Sequence, residues 1–160
     1  MKAFRFDRPL SYAAASRALD EGGAVRLKAG GTDLLARMKE RIDEPDRLVG
    51  LIDLGSDAAQ IDKTEDGIRI GAAATLAAIE DSDLVRAFAP HLATAAGEAA
   101  SPSIRRMATL GGNLAQHTRC DYHRHPGLPC WRRGATSCPV LEDGAVQENA
   151  AIFGNDACAS

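Results

Sequence analysis

The first third of the chain alternates short apolar runs with segments whose apolar residues recur at helical spacing. The apolar runs predict strands, and the amphipathic segments predict helices. In order, the predicted elements are a strand at 4–6, a helix at 12–20, a strand at 25–29, a helix at 34–42 and a strand at 48–54. This β-α-β-α-β alternation is typical of an α/β layer.

The rhythm changes in the middle of the chain. Apolar stretches at 59–65 and 68–74 flank Asp66-Gly67, a dipeptide typical of a β-hairpin. A short helix is predicted to start at Thr75, and a longer helix is predicted over 84–100. These elements predict a second lobe in which strands and helices are mixed.

Regular periodicity largely disappears after Asn113, although a last short strand is predicted at 150–153. The whole pattern predicts an α+β fold, with an α/β-like N-terminal lobe at 1–55 and a mixed second lobe at 56–160. The loop-rich part of the second lobe needs something other than a hydrophobic core to order it, and a metal centre would serve.

Composition excludes several function classes. The 160 residues suffice for one domain or two small lobes, and 45 % hydrophobic with 26 % charged residues is typical of a globular protein. The net charge of −3 gives no global attraction to nucleic acid, and no nucleic-acid-binding motif occurs. Because no stretch matches a secretory signal or a membrane span, the expected location is the cytoplasm.

Two double-glycine turns are the first candidates for chemistry. Gly30-Gly31 lies between a predicted strand and a predicted helix, and Gly111-Gly112 follows Thr109. Glycine lets backbone N–H groups approach an anion closely, so a pyrophosphate gripped by two loops is one interpretation. Tight turns that bind nothing are the alternative. Neither the G-x-G-x-x-G pattern nor the P-loop pattern occurs.

All four cysteines fall in the last quarter of the chain. They are Cys120, Cys130, Cys138 and Cys158, separated by nine, seven and nineteen residues. Arginines and histidines lie among them, and such neighbours stabilise an anionic thiolate centre. Four thiolates match the four irons of a [4Fe-4S] cube, whereas structural zinc usually uses C-x₂₋₄-C pairs, which do not occur here. Zinc, two disulfides and four unmodified thiols remain alternatives.

Together these motifs resemble the FAD-binding subunits of molybdenum hydroxylases, the relatives of xanthine dehydrogenase, carbon monoxide dehydrogenase and aldehyde oxidoreductase. The resemblance rests on KAGGTDLL at 28–35, IGAA at 70–73, SPSIR at 101–105 and ATLGGNL at 108–114. The cysteine-rich segment at 117–158 resembles the flavin subunit of bacterial periplasmic aldehyde oxidoreductases, which carries an inserted [4Fe-4S] cluster. The implied fold is a PCMH-type FAD-binding domain formed by both lobes.

The resemblance implies a role for each matched position. The first FAD pyrophosphate loop would comprise Lys28, Ala29, Gly30, Gly31, Thr32, Asp33 and Leu34, and the second would comprise Thr109, Gly111, Gly112 and Asn113. The cluster ligands would be Cys120, Cys130, Cys138 and Cys158. The family's flavin subunits continue for about as long again beyond the position of Ser160, so the fold is expected to be incomplete at its C-terminus.

The implied function is that of a flavoprotein subunit of an oxidoreductase. A molybdenum-cofactor subunit and a [2Fe-2S] subunit would be its partners and would deliver electrons to FAD, which passes them to an acceptor. The chain itself would then need no catalytic acid or base. A non-catalytic, metal-stabilised binding or assembly module without FAD is the alternative function. Export to the periplasm together with a partner is the alternative location.

Overall fold

The computed structural model describes residues 1–142, 150–151, 153 and 156–160. The chain forms two compact units, Met1–Gln116 and His117–Ser160. The first unit is a mixture of helices and two small sheets, which confirms the predicted α+β class. The predicted division into lobes at residue 55 stays a prediction.

The first unit begins with the expected α/β layer. Its elements are β1 (Arg5–Asp7), α1 (Tyr12–Asp20), β2 (Val25–Lys28), α2 (Leu34–Lys39) and β3 (Arg47–Gly50). The three strands are parallel in the order β1-β3-β2, so β3 is central. All four residues of β3 are buried, as expected for the middle strand of a covered parallel sheet.

A buried arginine joins α1 to this sheet. Arg47, at the start of β3, donates to the backbone carbonyl of Ala18 and to the carboxylate of Glu21, and its Nη1 lies 3.5 Å from Asp7 Oδ2. These partners satisfy a charge that is only 8 % exposed, and leaving that charge unpaired would be costly. The layer is therefore tied together at the end opposite the turn that follows β2.

The second half of the first unit is built on a hairpin and a helical cluster. It contains β4 (Ile61–Lys63), β5 (Ile68–Ile70), α3 (Leu76–Asp81), α4 (Asp83–Phe88) and α5 (Pro90–Glu98). The hairpin around Asp66-Gly67 is confirmed, with shorter strands than predicted. The hydrophobic core between these elements consists of buried residues from both the helices and the loops: Ala74, Leu76, Ile79, Val85, Ala93, Ala96 and Ala108.

One continuous helix over 84–100 was expected, and that prediction is wrong. The segment forms α4 and α5, which are separated at Ala89. Pro90 has no N–H to donate to the preceding turn, and the residue before a proline is pushed out of the helical region, as Ala89 is with φ −144° and ψ 64°. Proline suits the first position of a helix, so Pro90 starts α5 instead of continuing α4.

The remaining helices are short. They are α6 (Pro102–Arg105), α7 (Leu110–Leu114) and α8 (Asp121–Arg124), with 3₁₀ turns at Trp131–Arg133 and Pro139–Leu141 in the second unit. The strand predicted at 150–153 is not formed by Ala150, Ala151 and Phe153, and Ile152 lies outside the described residues. Among the helices described, none combines the length and apolarity required to cross a bilayer.

Candidate functional site

The first glycine turn joins β2 to α2. Gly31 has φ +78°, a left-handed conformation that side-chain-bearing residues adopt rarely. Gly30 is required for a different reason, because a Cβ built there would lie 1.7 Å from the carbonyl oxygen of Met107. The two glycines therefore have different structural roles. Gly31 turns the chain, and Gly30 lets it approach the backbone of another segment.

Several backbone donors of this turn are left available. Leu35 donates to the carbonyl of Gly31 at 3.0 Å, which begins the helical pattern of α2. Within the described ranges, the N–H groups of Gly30, Gly31 and Thr32 donate to no backbone or side-chain acceptor. These three residues are half-buried or exposed. Such a turn offers neighbouring N–H groups to an anion.

Charged side chains flank the first turn. Lys28 folds back, with its Nζ 3.2 Å from the carbonyl oxygen of Ala29. Asp33 occupies the N-cap position of α2 without a side-chain capping bond, and its carboxylate lies 4.0 Å from Nη1 of Arg37. Arg37 is itself buried against Asp43, with 2.6 Å between Nη2 and Oδ2. This pairing connects the turn to the far end of α2.

The second glycine turn uses its backbone donors inside the protein. Thr109 caps α7 by accepting from the N–H of Gly112 at 3.2 Å, and its carbonyl accepts from Asn113 at 2.8 Å. The N–H groups of Leu110 and Gly111 donate to the carbonyls of Ala74 and Ala72, both at 2.8 Å. All four N–H groups are thus satisfied. The side-chain donors at this turn are the Thr109 hydroxyl and the Asn113 amide.

The two turns meet at one segment of backbone, Met107 to Thr109. Gly30 packs against the Met107 carbonyl, two residues before Thr109, which opens the second turn. The carbonyl of Ala108 accepts from Leu76 at 2.9 Å and joins this stretch to the helical core. The structure therefore brings the two predicted loops together. Sequence reasoning missed Met107, because its contribution is a backbone carbonyl and its side chain gives no signal.

In the second unit, three cysteines stand in the same local setting. Cys120, Cys130 and Cys138 each immediately precede a helical turn, and each is 7 % exposed. Their carbonyls accept from Arg124, Arg133 and Leu141 at 3.0, 2.9 and 3.0 Å. Cys120 and Cys138 pack in one cluster with Val140 and Ala159. The fourth, Cys158, is half-buried.

An arginine and a histidine lie beside two of these thiols. Arg132 Nε lies 3.1 Å from the Sγ of Cys158, the approach of a cation to a sulfur. The ring of His123 is buried, with Nδ1 3.8 Å from the Sγ of Cys130 and Nε2 3.3 Å from Nδ1 of His117. The two imidazoles stack, with 5.5 Å between their centroids.

A second arginine organises the loops between the cysteines. Arg133 donates through Nη2 to the carbonyls of Tyr122 at 2.9 Å, of His125 at 2.7 Å and of Leu128. These carbonyls belong to the segment between Cys120 and Cys130, in which the loop follows α8. The guanidinium therefore holds these loop carbonyls together in place of regular backbone bonds between strands or helices.

The four thiols are free, with no disulfide among them. In the part of the chain that the structure describes, no group of three or more histidine, cysteine or acidic side chains meets in an arrangement that would hold a metal ion. The set of donors fits an iron–sulfur cluster chemically, because it supplies four cysteines and nearby cations. Their placement does not yet assemble them around one centre.

Comparison with known proteins identifies relatives of both units. Residues 2–124 match the family described as "FAD binding domain in molybdopterin dehydrogenase". The FAD-binding subunit of an aldehyde oxidoreductase from Escherichia coli is 33 % identical over 159 residues, which are 99 % of this chain and 49 % of that subunit. The carbon monoxide dehydrogenase medium chain of Afipia carboxidovorans is 38 % identical over 71 % of this chain and 39 % of its own length.

Solved structures agree with these relatives. A chain of quinoline 2-oxidoreductase from Pseudomonas putida 86 superposes with a TM-score of 0.68 at 29 % identity, over 72 % of this chain and 41 % of that one. A chain of the Cu,Mo-CO dehydrogenase gives a TM-score of 0.67 at 36 % identity, over 71 % of this chain and 40 % of its own. The present chain therefore spans half or less of the length of each relative.

Proposed function

We propose that this chain, which belongs to the family of FAD-binding domains in molybdopterin dehydrogenases, is the flavin-binding part of an electron-transfer subunit in a molybdenum-containing oxidoreductase. The observation that carries the proposal is the meeting of the two glycine turns at Met107–Thr109. The first turn keeps its N–H groups available, and the second presents a hydroxyl and a side-chain amide. Two such sets of donors, brought together where Gly30 packs against Met107, suit the pyrophosphate of FAD.

Apolar side chains beside the turns suit the rest of the cofactor. Ile104 and Met107 are 43 % and 47 % exposed, and they lie in the segment that leads into the second turn. An aromatic ring system gains from covering such surface. Bound FAD would supply the redox chemistry, and the residues of this chain would bind and orient it. No residue here is assigned to proton transfer.

We further propose that Cys120, Cys130, Cys138 and Cys158 hold a [4Fe-4S] cluster. Support comes from four free thiols within one unit, three of them in the same buried setting, and from Arg132 beside Cys158 and His123 beside Cys130. The similarity to the Escherichia coli subunit extends over 159 residues and so includes this unit. Ligation would supply ordering contacts for a unit in which the described residues form one helical turn of α type and two 3₁₀ turns.

The partners proposed are a molybdenum-cofactor subunit and a [2Fe-2S] subunit. The relatives are themselves named as a FAD-binding subunit and as a medium chain, which supports membership of a multi-subunit complex. The location proposed from the sequence is the cytoplasm, with co-export to the periplasm as the alternative.

The flavin proposal is tested by titrating flavin-free protein with FAD and, separately, with riboflavin, using the quenching of flavin fluorescence. Because the turns are assigned to the pyrophosphate, FAD should bind at least about a hundredfold more tightly than riboflavin, which lacks phosphate. Equal affinity for the two would contradict the assignment of the turns. Absence of FAD binding by a folded protein that retains metal would favour the alternative, a non-catalytic metal-stabilised module.

The cluster proposal is tested by iron, zinc and acid-labile sulfide analysis of anaerobically purified protein and of its Cys130→Ser variant. Iron and sulfide should be present in equal amounts and should fall in the variant, since serine is a poor replacement for a thiolate ligand. Ser137→Ala, a change at an exposed position in the same unit, is the matched control and should leave both contents unchanged. Unchanged iron in Cys130→Ser, or zinc in place of iron, would refute the cluster.

A further inference from the structure

A guanidinium at the end of α6 ties three segments of the first unit together. Arg105 donates through Nε to Oε2 of Glu80 on α3 at 2.9 Å. Through Nη1 it donates to the carbonyls of Ala100 at 2.9 Å and of Ala99 at 3.3 Å. The side chain is 13 % exposed, so these three acceptors take up most of its hydrogen-bonding surface.

The turn held in this way is an unfavourable one. Ala100 has φ +51°, a left-handed conformation that costs an alanine free energy because its Cβ approaches the carbonyl oxygen. The turn reverses the chain between α5 and α6, and Ser101 then caps α6 by accepting from the N–H of Ile104. A charge-assisted bond to the Ala100 carbonyl stabilises this turn against relaxation to extended backbone.

The position of α6 in turn sets the position of the glycine turns. Ile104 accepts from the N–H groups of Met107 and Ala108 at 2.9 and 2.7 Å. The Met107 carbonyl is the group against which Gly30 packs. Arg105, α6, the Met107 carbonyl and the first glycine turn therefore form one continuous series of contacts.

We infer that Arg105 is a positioning residue for the cofactor, which fixes the spacing of the two glycine turns by holding α6 against α3. The inference rests on the proposed binding of FAD at those turns. Under this inference, removal of Arg105 weakens FAD binding by more than the accompanying loss of protein stability would explain. Glu80 is 35 % exposed, so its ion pair with Arg105 adds only modestly to folding, whereas the two carbonyl bonds of Arg105 hold the turn at Ala99 and Ala100.

The test is FAD titration of the full chain and of Arg105→Gln, with the melting temperature of the flavin-free protein measured in parallel. Glutamine keeps part of the length but cannot bond Glu80 and the Ala100 carbonyl together. The FAD dissociation constant should rise about tenfold, within the range of couplings in one hydrogen-bond network. The visible circular dichroism of the bound flavin should change. Arg86→Gln, at an exposed arginine on α4 paired with Asp83 at 3.2 Å, is the surface control and should change neither FAD affinity nor the circular dichroism. The melting temperature of Arg105→Gln should fall further than that of the control, because Arg105 is 13 % exposed and bonds three acceptors.

A second substitution separates positioning from general damage. Glycine adopts the left-handed conformation without strain, so Ala100→Gly should restore part of the FAD affinity lost in Arg105→Gln and should change the affinity of the wild-type chain much less. If Arg105→Gln does not fold, Glu80→Gln replaces it, because it removes the negative charge that strengthens this anchor and leaves the guanidinium in place. That variant should also weaken FAD binding.

The outcomes distinguish the inference from the function on which it rests. A wild-type chain that binds no FAD would overturn both. Wild-type binding of FAD together with unchanged affinity in Arg105→Gln and Glu80→Gln would overturn the inference alone. A loss of affinity that only follows the loss of melting temperature, without rescue by Ala100→Gly, would also overturn it.

Discussion

Gly30→Ala is the substitution that examines the meeting of the two glycine turns most closely. The new Cβ would lie 1.7 Å from the Met107 carbonyl oxygen, 2.6 Å from its carbon and 3.3 Å from the N–H nitrogen of Ala108. Ordinary contact begins at 3.4 Å, so the two backbones would have to separate by about 1.7 Å. No flexible side chain can absorb this, since every atom met belongs to the backbone.

The cost of the change follows from what the Met107–Ala108 segment carries. Its bonds to Ile104 and Leu76 join the second turn to the helical core. Overpacking costs about 1–3 kcal/mol, and we expect the upper end of that range for a clash between two backbones. The same separation moves the two sets of donors apart, so FAD affinity should fall about a hundredfold, equivalent to about 2.8 kcal/mol.

The assays are urea unfolding followed by circular dichroism, and FAD titration. Gly55→Ala is the matched control, because its Cβ would meet only a carboxylate oxygen of Asp57, at 3.3 Å. It should leave both the unfolding free energy and FAD affinity near wild-type values. Wild-type stability and FAD affinity in Gly30→Ala would refute the close approach of the two turns.

Two further predictions concern the second glycine turn and the ion pair between Arg8 and Asp53. Gly112→Asp should abolish FAD binding, because its carboxylate would repel the pyrophosphate. Gly112→Ala should retain FAD binding, since its Cβ would meet only the Thr109 hydroxyl, at 3.0 Å. Equal FAD affinities in the two variants would contradict the assignment of the second turn to the pyrophosphate. The hydrogen bond from Arg8 lowers the pKa of Asp53. The pair therefore stabilises the fold at any pH above the ordinary aspartate pKa, and this stabilisation is lost as the pH falls through the lowered pKa. The urea midpoint of Asp53→Asn should therefore lie slightly below that of the wild type at pH 7, and the two midpoints should converge in acid. A difference between the midpoints that widens in acid would contradict the lowered pKa of Asp53.

The sequence predicted the first part of the fold well because its signals are local. The alanine-rich helix was predicted at the bounds observed, Tyr12–Asp20, and the three strands of the first layer were predicted close to their positions. Apolar periodicity and glycine stops determine such elements without reference to distant contacts. The helix predicted over 84–100 failed because the local effect of Pro90 outweighs the apolar pattern around it.

The candidate site was predicted only in part because its geometry depends on backbone atoms. Motifs located the glycines, but they did not reveal that Gly30 is required by a carbonyl 77 positions away, nor that the N–H groups of Gly111 and Gly112 are bonded within the protein. Arg105 was also missed as a positioning residue. Its partners are two carbonyls and a glutamate on another helix, and none of these gives a pattern in the sequence.

The most direct test of the central claim is an absorption spectrum of anaerobically purified protein, taken together with flavin, iron and sulfide analysis. The account predicts flavin bands that are released as FAD on denaturation, together with iron and sulfide in equal amounts. Iron and sulfide without flavin would contradict the assignment of the glycine turns and leave the cluster standing. A colourless, folded protein that cannot be reconstituted with FAD would contradict the account as a whole.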